Sequence, residues 1–272
     1  MKIGIISSSY YQNDIIKNDY TFCTRIQPFF NNSDKYELWA NGKKYDALLF
    51  HDVLWIPMME IFDGPKYLDI TNIDWFNFNN LEYFSSFDVI TSANKELVEF
   101  LKQIFPNKTI EYIPYSIDVN KISGIEEIAT SPQSVLWFGD IQDVYESVDP
   151  FLNTIHETGL SLTVMTSEKT HINNIKFQSI LFNQETLYDE IRNHDLLLNP
   201  PLRKGIFKYK SVFNKSLDSW CLGTPVVETV YDMVLFNDVE ISNKKVKEMQ
   251  QIIKNEYNIF DNIKKFDKLF LK

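Results

Sequence analysis

Short apolar runs alternate with amphipathic stretches from one end of this chain to the other, and that alternation admits few folds. Strands buried on both faces read as near-continuous apolar runs, and parallel neighbours need a crossover connection, usually a helix. In the first half the runs fall at Lys2–Ser7, Tyr36–Ala40, Ala47–His51, Tyr67–Ile70, Val89–Ser92 and Ile110–Pro114. Between the last two, Asn94–Phe105 sets Leu97, Phe100, Leu101 and Ile104 on one helical face. The second half repeats the scheme, with runs at Ser134–Phe138, Leu160–Thr166, Phe177–Leu181, Leu196–Asn199 and Pro225–Thr229 and helices over Val144–Glu157, Glu185–Asn193 and Ser211–Leu222. The pattern predicts an α/β chain of two parallel-sheet domains, 1–117 and 118–242, joined by the polar, Gly- and Pro-bearing stretch Asp118–Gln133. A lysine-rich helical piece, 243–272, has apolar positions at Val246, Met249, Ile252 and Ile253. It packs on its own domain or crosses back to the first, and the crossing is the expectation here.

Composition narrows the function. At 272 residues and 44% hydrophobic the chain is long enough for two separate cores. A net charge of −10 and a pI of about 5.0 give no chain-wide attraction to nucleic acid or to an anionic membrane, so an anionic ligand has to be met locally. Cys23 and Cys221 stand far apart in no ligand spacing, which supports neither a disulfide framework nor a zinc site. Met1–Ser7 reads as a first strand rather than a secretory leader, and no apolar stretch approaches the roughly 20 residues that span a bilayer. A soluble, cytoplasmic protein is the expectation. Phosphate-loop, dinucleotide, zinc-protease and nucleophile-elbow motifs are all absent, as is the D-x-D pair of metal-dependent sugar transferases.

What remains sits at strand ends, where open parallel sheets bind ligands. Gly139 closes the apolar run Val135–Phe138, so it either makes a turn or lets a ligand approach the backbone. After Asn199 a basic loop with Arg203, Lys204, Lys208 and Lys210 leads into a helix starting near Ser211. Cationic side chains, free N–H groups and the helix dipole there suit a diphosphate, with Ser211, Val212, Phe213, Asn214 and Lys215 at the helix start. Asp218, on the same face, suits the two hydroxyls of a ribose, or is an exposed carboxylate paired with Lys215.

Taken in order, these segments resemble the GT-B glycosyltransferases, in particular the retaining family-four group. Leu217-Asp218-Ser-Trp-Cys-Leu-Gly223-Thr-Pro225-Val-Val227 resembles the second half of that group's helix-and-strand motif, whose helix carries two glutamates eight positions apart. Asp218 stands for the second glutamate and Lys210 for the first. Ile113-Pro114-Tyr-Ser-Ile117-Asp118 resembles the interdomain Ile-Pro-Asn-Gly-Ile-Asp. Val135–Asp140 is similar to the Gly-Arg strand, with Asp140 where the arginine is usual, and Val89–Asn94 to the strand before the linker.

The resemblance implies two Rossmann-like domains facing each other across a cleft, and metal-independent, retaining transfer of a hexose from a nucleotide-diphosphate donor. The acceptor would be a glycan, a lipid-linked sugar or a protein, in bacterial glycan or surface polysaccharide synthesis. No cofactor beyond the donor sugar is expected. The base would lie near Gly139 and Asp140, the ribose at Asp218, and the diphosphate on Arg203, Lys204, Lys210 and Ser211–Lys215. The first domain lacks the family's mid-domain His-Asp; Asp69 or Asp74 would orient an acceptor hydroxyl instead, or each is a helix cap or turn residue. His51-Asp52 ends another strand, with His51 weighed chiefly as a structural residue, and Ser7–Tyr11 takes the place of a Gly-rich loop. Association with a membrane surface or a partner protein stays open, and nucleic acid is not an expected partner. Two other readings are an inactive homologue that binds a nucleotide sugar or a partner, and a sugar-nucleotide epimerase.

Overall fold

The computed structural model describes residues 1–7, 25–71, 81–121, 128–171, 176–201 and 213–270. They form two compact units, the first holding the described residues of Met1–Ser116 and Tyr257–Lys272, the second those of Ile117–Leu202 and Val212–Glu256.

In the first unit the described elements run β1 (Ile3–Ser7), α1 (Gln27–Asn32), β2 (Tyr36–Leu38), β3 (Ala47–His51), α2 (Ile56–Ile61), β4 (Lys66–Ile70), α3 (Leu81–Phe84), β5 (Val89–Ser92), α4 (Lys95–Ile104) and β6 (Thr109–Tyr112). The sheet has the order β2-β1-β3-β4-β5-β6, every pair parallel. Alternate residues point to opposite faces. Ile6, Leu48, Phe50, Leu68, Ile70 and Ile90 pack with Phe84, Leu97 and Leu101. On the other face Ile3, Ile5, Ala47, Leu49, Tyr67 and Val89 meet Phe29 of α1 and the chain's final helix. Both faces are covered, which is why β1, β3 and β5 are buried along their whole length. Asn94 caps α4 by accepting from Leu97 N at 2.8 Å.

The second unit runs β7 (Ser134–Phe138), α5 (Val144–Val148), α6 (Leu152–Thr158), β8 (Ser161–Thr166), β9 (Gln178–Leu181), α7 (Leu187–Arg192), β10 (Leu196–Leu198), α8 (Phe213–Leu222), β11 (Val226–Val227), α9 (Val230–Leu235) and α10 (Val239–Glu256). Its parallel sheet has the order β11-β10-β7-β8-β9. The expected single helix over Val144–Glu157 is instead α5 and α6 separated by a 3-10 turn, Asp149–Phe151. Pro150 explains the break, because it has no N–H to give and its ring crowds the preceding turn.

The lysine-rich piece 243–272 is likewise two helices, α10 and then α11 (Ile259–Phe270). Asn258 restarts the helix: its side chain accepts from Phe260 N and its carbonyl from Asp261 N and Asn262 N. The described residues of α10 belong to the second unit and those of α11 to the first. Ile259, Ile263, Phe266 and Phe270 form one buried stripe at helical spacing. Phe266 meets Phe29 edge-on at 4.8 Å, Phe270 stacks on Tyr67 at 4.1 Å, and Tyr67 Oη donates to Phe270 O at 2.8 Å. Phe266→Ala is therefore expected to destabilise the first unit by about 3–5 kcal/mol in urea unfolding, and a loss below about 1 kcal/mol would contradict α11 as core. Tyr231→Ala, at a side chain 72% exposed, is expected to change stability by less than about 0.5 kcal/mol.

Candidate functional site

Polar side chains buried in the first unit gather at the carboxyl ends of its strands. Ser7, His51, Asp69 and Thr91 stand opposite one another in register across β1, β3, β4 and β5, so they leave the sheet on one face. All four are at most 2% exposed. Arg25, just ahead of α1 and 1% exposed, supplies the compensating charge. Its Nη2 donates to Asp69 Oδ1 at 2.9 Å and its Nε to Asp69 Oδ2 at 3.1 Å, a two-pronged pair. Thr91 Oγ1 donates to Asp69 Oδ1 at 2.7 Å, and His51 Nδ1 lies 3.2 Å from Asp69 Oδ2. Arg25 Nη1 donates to Pro114 O, which also accepts from Asn262 Nδ2 of α11 at 3.0 Å. The guanidinium lies 5.1 Å over the Phe266 ring.

Asp52 follows His51 with φ of 49°, a left-handed backbone that non-glycine residues use sparingly. Its carboxylate accepts from Thr71 N at 2.8 Å and from Thr71 Oγ1, and Oδ2 lies 3.6 Å from His51 Nε2. Burial opposes charge on Asp69, but Arg25 and His51 outweigh it and hold the carboxyl well below the usual range. Burial also pulls His51 down, yet the carboxylates of Asp52 and Asp69 leave its pKa raised. Asp52 is raised, chiefly by burial.

In the second unit the carboxyl end of β7 is built around a lysine. Lys215, on α8, donates from Nζ to Phe138 O at 2.6 Å and lies 5.0 Å over the Phe138 ring and 5.6 Å over that of Trp137. A Cβ on Gly139 would stand 2.8 Å from that Nζ and 3.1 Å from the indole, so a larger residue there would displace the ammonium from its present place. One turn along α8, Asp218 is 3% exposed and accepts from Tyr188 Oη of α7 at 3.1 Å. At the end of β10, Asn199 Nδ2 donates to Ser216 Oγ at 2.8 Å. Burial first, and Asp218 second, push the Cys221 thiol up to about 12, so it is no nucleophile at neutral pH.

The structure thus brings Gly139 and Lys215 into contact and sets Asn214 and Asp218 on the same helix, Asn214 Oδ1 accepting from Lys215 N at 2.9 Å. Asp218 is a buried carboxylate with a tyrosine partner, not an exposed one. Asp140 caps a turn, its Oδ1 accepting from Gln142 N at 3.2 Å. Phe213 opens α8. Arg203, Lys204, Lys208, Lys210, Ser211, Val212 and Asp74 lie outside the described residues. Asp69 has both oxygens engaged and is fully buried, a geometry that suits holding His51 and Arg25 more than touching an acceptor. Arg25, Thr91 and Tyr188 carry no local sequence signal; each is recognised only by the partner that the fold brings to it.

Among the described residues no group of three or more His, Cys, Asp or Glu is placed to hold a metal ion, and no helix is long and apolar enough to cross a membrane.

The sequence matches no family model and no curated protein. Solved structures do match. The pneumococcal O-GlcNAc transferase GtfA, in complex with UDP and GlcNAc, aligns with a TM-score of 0.54 at 10% identity over 82% of this chain and 56% of its own. Accessory secretory protein 1, 2 and 3 of Streptococcus pneumoniae gives 0.53 at 12% identity over 84% and 53%. The catalytic domain of starch synthase IV from Arabidopsis thaliana, bound to ADP and acarbose, gives 0.52 at 10% identity over 85% and 73%. The chain spans little more than half the length of the two pneumococcal chains. The likeness shows the fold, that of the GT-B glycosyltransferases: two Rossmann-like α/β units with parallel sheets.

Two expectations follow from the buried cluster. Asp69→Asn leaves Arg25 buried without its carboxylate and is expected to cost about 3–5 kcal/mol in urea unfolding, whereas a loss under about 1 kcal/mol would show the pair to be solvated. His51 has a raised folded pKa, so its charge adds stability below its unfolded value of about 6.5, and that contribution fades as pH rises through the folded value. The stability gap between the native chain and His51→Gln is expected to be wider at acid pH than at alkaline pH; a constant gap would mean His51 is neutral throughout.

Proposed function

We propose that this chain is a glycosyltransferase that draws a sugar from a nucleoside-diphosphate donor. The observation that supports it most is the carboxyl end of β7, where Gly139 makes room for the Lys215 ammonium one helical turn from the buried Asp218 carboxylate. That is a cation and an acceptor group at the strand ends of a GT-B unit, the place where open parallel sheets take ligands. In this reading Lys215 leaves the Phe138 carbonyl for a phosphate oxygen, joined by Phe213 and Asn214 at the start of α8 and by Arg203, Lys204, Lys210, Ser211 and Val212, which lie outside the described residues. Asp218, steadied by Tyr188, accepts from the ribose, and the base lies along Gly139 and Asp140. Fixed cations and N–H dipoles stabilise the departing diphosphate more than the intact donor, which lowers the barrier without a metal or other cofactor.

Retention of configuration, a hexose as the group moved and a cytoplasmic setting complete the proposal. The first unit would serve the acceptor, a glycan, lipid-linked sugar or protein in bacterial glycan synthesis. Asp69 takes part there by fixing the His51 ring, with Asp74 as a candidate acceptor contact. GtfA was solved with UDP and GlcNAc and also in a GtfA/B complex, which supports a uridine nucleotide and a protein partner as the first to try.

Thermal unfolding with UDP, GDP, ADP and CDP tests the reading. At a hundredfold excess over Kd a bound nucleotide adds about 2.7 kcal/mol, a rise of several degrees. Lys215→Ala and Asp218→Asn are each expected to remove the rise, while Tyr231→Ala keeps it. No response to any nucleotide, or the same response in all three variants, contradicts the assignment.

A further inference from the structure

The turn between β2 and β3 places an asparagine amide beside an unhindered backbone nitrogen. Of the chain's eight glycines only Gly42 follows an asparagine. Lys43 N donates to Ala40 O at 3.2 Å, and Gly42, third of the four turn residues, has φ of 82° while Asn41 keeps a negative φ. That is a type II turn, the form that favours glycine at its third place. Its stem is held: Tyr45 Oη accepts from Ala40 N at 2.9 Å and donates to Leu38 O at 3.2 Å, and Lys43 Nζ lies 3.4 Å from the Glu37 carboxylate. Its tip is not held. Asn41 and Gly42 are exposed, and neither the Asn41 carboxamide nor the Gly42 N–H has a hydrogen-bond partner among the described residues. A Cβ on Gly42 would meet nothing within 4 Å, whereas one on Gly64, which follows Asp63, would stand 2.6 Å from the Phe62 ring.

These features allow a ring closure within the chain. The Gly42 nitrogen gives up its proton to hydroxide and attacks Cγ of Asn41. The N–Cγ bond forms, the Cγ–Nδ2 bond breaks, and Nδ2 leaves as ammonia with a proton taken from water. Water then adds to the succinimide. Opening at the side-chain carbonyl gives aspartate; opening at the backbone carbonyl gives isoaspartate, in which the chain runs on through Cγ and the α-carboxylate is free. A side chain on the residue after asparagine hinders the attack, and a hydrogen bond on its N–H holds the nitrogen back. Gly42 has neither. The bond from Lys43 N to Ala40 O is exposed and at the long end of its range, so it slows opening of the turn by roughly tenfold at most.

We infer that Asn41–Gly42 is a self-modification site, where the folded protein converts the Asn41 amide to a carboxylate, partly as isoaspartate, without an enzyme. The product puts a new negative charge next to Lys43 and Lys44 and a free α-carboxylate that a protein-isoaspartate carboxyl methyltransferase can methylate. Tyr45 holds the stem, and β2 stays in register on β1 from Tyr36 to Leu38, so the change is confined to the tip and the sheet is unaltered. The site shares no residue with Gly139, Lys215 or Asp218 and is independent of the nucleotide reading.

Ageing of the full chain at body temperature in mildly alkaline buffer tests it, with a matched sample unfolded in guanidinium chloride and the variant Asn41→Gln, whose longer side chain has to close a less favourable six-membered ring. Peptide mapping reads the amide at residue 41, and purified protein-isoaspartate methyltransferase with labelled S-adenosylmethionine reads the isoaspartate. In the folded native chain the peptide holding residue 41 is expected to gain a carboxylate and to accept methyl groups, at a rate within roughly tenfold of the unfolded chain. The rate should fall in mildly acid buffer, where the Gly42 nitrogen keeps its proton, and the aged protein should melt at the same temperature as fresh protein. Asn41→Gln should leave that peptide without methyl acceptance. The inference is overturned if residue 41 keeps its amide in the folded chain, if the rate does not depend on pH, or if Asn41→Gln accepts methyl groups in that peptide as the native chain does. A lower melting temperature after conversion also overturns it, because the tip would then be part of what supports the sheet.

Discussion

A parallel strand buried on both faces leaves little place for a polar side chain before it ends, and that constraint shapes both units. In the first, the central strands are sealed between α1 and α11 on one side and the helices of the other core on the second. Ser7, His51, Asp69 and Thr91 therefore appear only at the carboxyl ends, all in one row. In the second, Gly139 and Asn199 follow the last apolar residues of β7 and β10, and the chemistry of Lys215 and Asp218 comes from α8. Backbone N–H groups and side chains that cannot be used within the sheet are thereby collected at one end of each unit.

The consequence in the first unit is a charge that has to be neutralised in place. Asp69 lies at the end of β4 with no solvent, and removing its partners would leave it ionised in a medium that does not tolerate that. Arg25 answers it, and the same guanidinium bonds Pro114 O and lies against Phe266. One side chain so ties β4, the end of the first stretch of the unit, and the returning α11. Buried ion pairs of this kind add little net stability over an apolar core, but they fix which elements meet.

Much of the architecture was legible in the sequence, because strands buried on two faces announce themselves as apolar runs. The existence of β1, β3, β4, β5, β7, β8 and β10 follows from runs such as Ala47–His51 and Ser134–Phe138. Helical periodicity does not mark breaks inside helices, although Pro150 and the capping Asn258 coincide with them. The site was legible only in its local parts. Gly139 and Asp218 stand out by position, but the Lys215 ammonium packed against Gly139 bonds Phe138 from 77 residues away, and the tyrosine on Asp218 comes from 30. Arg25 and Asp69 are 44 apart. No periodicity links such pairs; only the fold does. His51 reads as a structural histidine and is fully buried, yet its place between the Asp52 and Asp69 carboxylates gives it a chemical setting that its neighbours in sequence do not show.

Consumption of donor is the most direct measurement of the whole account. The chain, incubated with UDP-, GDP-, ADP- and CDP-sugars, is predicted to release nucleoside diphosphate from at least one of them, slowly to water and faster when a sugar acceptor is present. Tight binding of a donor with no release under any of these conditions would reduce the protein to a non-catalytic binder. Neither binding nor release would contradict the account at its root.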